Sequence, residues 1–139
     1  MQPLVNELFL EKAEAFKPQL IQKEHRPLRM VTIEKDSEGF GRVVGERPIT
    51  ELAGLHLGKG DTICLDYGDH YVGYLTLRLS SVGSIPDAPL FMKLKFGETA
   101  TEITDHSEDY NGRISSSWIQ EEWMHVDVLP AVITLPRRY

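Results

Sequence analysis

Leu90-Phe91-Met92-Lys93-Leu94-Lys95-Phe96 is the stretch that decides the fold class. Leu90, Met92, Leu94 and Phe96 alternate with Phe91, Lys93 and Lys95, and a period of two sets one apolar row of a strand against a core. Gly97 ends the run. Upstream, Val72 to Ser80 repeats the pattern: Leu75, Leu77 and Leu79 share one face, and Tyr74, Thr76, Arg78 and Ser80 share the other, as in a sheet with one wet side. Ser81 to Pro89 joins the two runs and is rich in residues that set turns or cannot donate to a ladder, so it reads as a connection. Further strands are expected at Met30 to Ile33, Thr62 to Asp66, Ser117 to Val128 and Ala131 to Leu135, the last bounded by Pro130 and Pro136. Eleven glycines and eight prolines recur at the short intervals that turns between short strands need. The expectation is an all-β, antiparallel β-sandwich. Asn6 to Lys17 is the one helix candidate, with Asn6 as its cap and Pro18 as its stop.

A length of 139 residues suits one domain with one core, preceded by an extension over residues 1–20. The 41% hydrophobic and 26% charged fractions are those of a globular chain. No apolar run is long enough to cross a bilayer, which takes roughly 18 to 20 residues. Met1 to Leu10 carries no secretory pattern, so a cytoplasmic protein, or a secreted one trimmed of its leader, is expected. A net charge of −6 argues against nucleic acid as a partner. The lone Cys64, between Ile63 and Leu65, leaves no internal disulfide and reads as a buried strand residue.

Asp105 to Gly112, DHSEDYNG, gathers oxygen donors of the type calcium takes, with Asp105, Asp109 and Asn111 the candidate ligands. Tyr110 stands where an EF-hand loop has glycine, so a solvated acidic loop closed by an Asn-Gly turn is the simpler reading. Asp66 to His70 reads as a second polar turn. Glycoside hydrolysis needs two carboxylates facing one sugar. Adjacent strand residues face opposite ways, so Glu121 and Glu122 do not form such a pair; one is expected toward water and the other toward a hydrogen-bonded neighbour. The five histidines show no HxH or HxxxH spacing, and Ser115 to Ser117 lack a nucleophile elbow, so no catalytic residue is assigned. Trp118 and Trp123 lie five apart and on opposite faces of a regular strand; core or inter-domain packing is the favoured role, and stacking on a sugar is the alternative.

LDYGDHYVGYLTLRL (65–79), GSIPDAPLFMKLKFGE (83–98), YNGRISSSWIQEEWMHVDVLP (110–130) and ITLPRRY (133–139) occur in that order. Together they resemble the N-terminal β-sandwich region of glycoside hydrolase family 78, the bacterial α-L-rhamnosidases, closely from Leu65 onward and loosely before it. The resemblance implies a jelly-roll, galactose-binding-like sandwich without a catalytic residue, because the family's acid and base glutamates belong to an inverting (α/α)-barrel further along the chain. It also implies that the family chain continues past LPRRY, so a fragment of a multidomain protein is expected. Its partner would be the downstream barrel, and an uncovered sheet edge would favour self-association. The alternative is a module that binds rhamnose-containing glycans, with or without calcium, through Tyr110, Asn111 and Trp118.

Overall fold

The computed structural model describes residues 6–83, 88–106, 120–127 and 129–139. Helix α1 (Glu7–Ala15) comes first, followed by β1 (Arg29–Lys35), β2 (Gly41–Pro48), a 3-10 turn (Ile49–Gly54), β3 (Cys64–Asp66), β4 (Thr76–Leu79), β5 (Leu90–Phe96), α2 (Ala100–Thr104), β6 (Gln120–Val126) and β7 (Ala131–Thr134). Among the described residues the strands pair antiparallel in three sheets of order β2-β1-β3, β4-β7 and β5-β6. The β4-β7 pair encloses the β5-β6 ribbon in sequence, the nested order that jelly-roll connectivity produces. The all-β antiparallel sandwich expected from the sequence is the architecture found.

Strand β5 runs over the seven residues expected. On β4, Leu77 and Leu79 are half-buried and Thr76 and Arg78 exposed, so the alternation holds; the ladder itself is shorter than Val72 to Ser80. Hydrogen bonds continue the pairing beyond it, from Leu135 N to Leu75 O at 2.9 Å and in both directions between Gly73 and Tyr139. Strand β2 and helix α2 were not expected. β2 is an edge strand with a bulge: Thr32 faces Gly45 and Ile33 faces Val43, which leaves Val44 without an opposite number. Gly41 lets it approach α2, since a β-carbon there would strike the backbone carbonyl of Ala100.

The helix at the N-terminus forms as expected, and the Asn6 carboxamide accepts from Leu8 N at 3.1 Å. It buries none of its residues. The arm from Asn6 to Arg26 joins the body where Leu28 N donates to Asp66 O at 2.8 Å and where His25 stacks on Tyr71 at 4.1 Å. Among the described residues the buried hydrophobics are Met30, Val126 and Leu135, drawn from β1, β6 and the end of β7. Cys64, expected to be buried, is half-buried, and burial pushes its thiol pKa up.

The accessible surface is 11,990 Å². A self-contained folded protein of 15.8 kDa exposes about 7,300 Å² by the usual mass scaling. The excess is reflected in bulky apolar side chains left in solvent, from Leu8, Phe9 and Phe16 on the arm to Phe91 and Trp123 on the ribbon.

Candidate functional site

The β5-β6 register places Phe91 opposite His125, Lys93 opposite Trp123 and Lys95 opposite Glu121 on one face of the ribbon. The other face carries Leu90 opposite Val126, Met92 opposite Met124 and Leu94 opposite Glu122. The second is the inner face, where Val126 is 6% exposed. The first is a ladder of rings and charges. Phe91 is its shared member, stacked on His125 at 4.5 Å and on Trp123 at 5.2 Å, with interplanar angles of 27° and 17°. The Lys93 ammonium lies 4.7 Å from the centre of the Trp123 ring, within cation-π range. Phe91 and Trp123 are 54% and 55% exposed.

Below the rings, Glu121 forms ion pairs with two lysines: Lys93 Nζ at 2.9 Å and Lys95 Nζ at 3.4 Å. Its side chain is only 8% exposed. Burial pushes the Glu121 carboxyl up, and the two lysines outweigh it, leaving the group below the ordinary glutamate value. Glu122, on the inner side, pairs with Arg137 and accepts from the Tyr139 hydroxyl at 2.8 Å. Tyr139 also stacks on Phe96 at 4.1 Å. The two glutamates do face opposite ways, and both are engaged by cations, so the carboxylate expected to point to water is bound instead.

Of the sugar-binding candidates, Tyr110, Asn111 and Trp118 lie outside the described residues, as do Asp109 and Asn111 of the calcium set. Asp105 is described, at the end of α2, where Lys35 Nζ sits 3.2 Å from its carboxylate. Among the described residues, no group of three or more His, Cys, Asp or Glu is arranged to hold a metal ion. Asp66, in the polar turn, accepts from Gly68 N at 2.7 Å and Arg29 Nε at 2.7 Å, and these bonds hold its carboxyl below the ordinary range. Trp123, expected to pack in a core or between domains, is half in solvent and so not a core residue.

The family model described as the glycosyl hydrolase family 78 alpha-rhamnosidase N-terminal domain matches residues 27–139. The chain belongs to that family. The match begins well before Leu65, so β1, β2 and β3 are part of the family 78 N-terminal domain as much as the later strands. The fold is also that of a solved rhamnosidase from Klebsiella oxytoca with rhamnose bound, at 42% identity and a TM-score of 0.78. That likeness covers 96% of this chain and 26% of the Klebsiella chain, so this family 78 segment spans about a quarter of its neighbour's length. Among curated proteins none matches.

Proposed function

We propose that the chain is a non-catalytic accessory domain of a larger α-L-rhamnosidase, packed against the enzyme's inverting (α/α)-barrel and holding it in shape. The observation that carries this reading is the apolar surface left in solvent on the folded body. Phe91, Trp123, Val72 and Val132 each stand more than half exposed, area that another body can cover. Membership of the family and the likeness to part of a rhamnosidase about four times as long support the rest of such an enzyme as that body. Its contribution to catalysis is burial, with no bond made or broken. The opposed Glu121 and Glu122 support this, because acid and base in a glycosidase must face the same sugar from about 5 to 10 Å apart.

A second reading, a module for rhamnose-containing glycans with or without calcium, draws support from the exposed ring of Trp123. Calorimetric titration of L-rhamnose into this chain, once with calcium and once with a chelator, separates the two. No saturable heat in either run, together with earlier heat inactivation of the whole rhamnosidase once residues 27–139 are deleted, is the expected result. Saturable heat, or a deletion that leaves inactivation unchanged, would overturn the accessory reading.

A further inference from the structure

We infer that the aromatic ladder on the outer face of the β5-β6 ribbon is the surface the rest of the rhamnosidase chain covers. This rests on the accessory-domain reading above and names the contact. Four observations lead to it.

The ladder's geometry is wrong for a sugar and right for a protein. A pyranose stacks on an open ring face, whereas Phe91 is stacked on both His125 and Trp123, and Trp123 has Phe91 and the Lys93 ammonium against it. Phe91 and Trp123 nonetheless stay 54% and 55% exposed, area that a packed protein surface can bury. The ladder also has the composition of an interface centre: Trp and Phe beside a carboxylate already held between two lysines, so closing the surface strands no bare charge from Glu121. Because the rings stand on paired strands and brace one another, little rotamer freedom is lost when they are covered.

Location separates the ladder from the exposed apolar side chains of the arm. Leu8, Phe9, Phe16, Leu20 and Ile21 lie on the arm, outside the residues 27–139 that define the family domain, whereas the ladder lies inside them. The occupant follows from length. This segment spans 26% of the Klebsiella rhamnosidase chain. A body tethered on the same polypeptide meets the ladder at an effective concentration in the millimolar range, far above that of a second free copy.

The test compares this chain with the whole rhamnosidase chain that carries it, and in each the Trp123 emission is taken as the difference between that chain and its Trp123→Phe variant, so that every other indole cancels. Trp123 emission is expected at longer wavelength in the isolated chain and shifted to the blue in the whole chain. Trp123→Ala in the whole chain is expected to shorten the half-life of rhamnosidase activity on heating by about tenfold or more, as loss of an interface hot spot does, with KM unchanged; Val132→Ala, an exposed apolar control on β7, leaves it as it was. Equal emission in the two chains overturns the inference even if Trp123→Ala fails to fold. If deleting residues 27–139 hastens inactivation while Trp123→Ala does not, the face is wrong and the accessory reading stands. If neither does, both fall. Saturable quenching of Trp123 in the isolated chain by L-rhamnose would make the ladder a sugar platform and equally overturn the inference.

Discussion

One face of the β5-β6 ribbon carries Leu90, Met92, Met124 and Val126, and the other carries Phe91, Lys93, Trp123 and His125, although both come from the same two seven-residue strands. This end of the inner face is aliphatic, with Val126 closed off by the rest of the fold, and the other end carries Glu122. The outer face holds larger rings that stack on one another and lean on a lysine, yet stay half in solvent. The contrast shows that bulk and hydrophobicity do not by themselves place a residue inside. Pleat parity assigns the face, and the layer behind that face decides whether it is dry.

A charge placed on each face in turn should separate them most sharply. Val126→Asp puts a carboxylate where the side chain is only 6% exposed, and a cost of more than about 4 kcal/mol is expected, comparable to the whole stability of a marginal domain. Trp123→Asp in the isolated chain should cost no more than the ring contacts, roughly 0.5–1.5 kcal/mol. Urea denaturation of the two variants measures the difference; equal costs would mean that the outer face is already part of this chain's core.

Glu121→Ala probes the floor of the outer face. It leaves Lys93 and Lys95 crowded together without their shared counter-charge, at an expected cost of about 1–3 kcal/mol in the same denaturation assay. Acidification should reach this pair and two others. The carboxyls of Asp66, Asp36 and Glu121 all lie below their ordinary values: Asp66 through Gly68 N and Arg29, Asp36 through Arg42 and Phe40 N, and Glu121 through its lysines against the opposing effect of burial. A carboxyl whose folded pKa is depressed contributes stability that is complete above its unfolded value and lost as pH falls through the folded one. Thermal midpoints should therefore stay level from neutrality to about pH 5 and drop below about pH 4. Glu121→Gln should soften that drop, since one of the three groups no longer takes up a proton.

The parts legible in the sequence were those written in a period. Leu90 to Phe96 could be read end to end because seven consecutive residues alternate. The Asn6 cap was legible because one carboxamide does that work locally. Strand β2 was not, because Gly41, Gly45, Pro48 and three charged side chains carry little strand preference; its place is set by pairing with β1, and charged, bulged edge strands read as loops. Five residues are too few for helical periodicity, but Thr99-Ala100-Thr101-Glu102 is the spacing of a capping box, and Thr99 does accept from Glu102 N. The ladder shows the limit most clearly. Phe91, Trp123 and His125 are each visible as single residues, yet their juxtaposition depends on a register across a connection of more than twenty residues, which no local pattern encodes. The Lys35–Asp105 pair was hidden for the same reason, since the two residues stand seventy apart in the chain.

The smallest effect is expected in the arm, which extends the comparison to a third kind of surface, exposed apolar side chains on an element with no layer behind it. Asn6→Ala removes the acceptor that holds Leu8 N, at about 0.5–2 kcal/mol of helix stability. A nine-residue helix is marginal in water without packing, and α1 buries none of its residues, so the loss should fall on α1 alone. Amide exchange should speed up at Leu8 to Leu10 and stay unchanged at Met30 and Val126, with the thermal midpoint of the sheets unmoved. If exchange at Val126 also quickened, the arm would be energetically coupled to the ribbon, and its apolar side chains would have to be counted with the inner face. If the change stays local, the arm and the ladder are alike in lacking a cover but differ in stiffness: the ladder is braced by paired strands before anything touches it, whereas the arm must be ordered by whatever it meets.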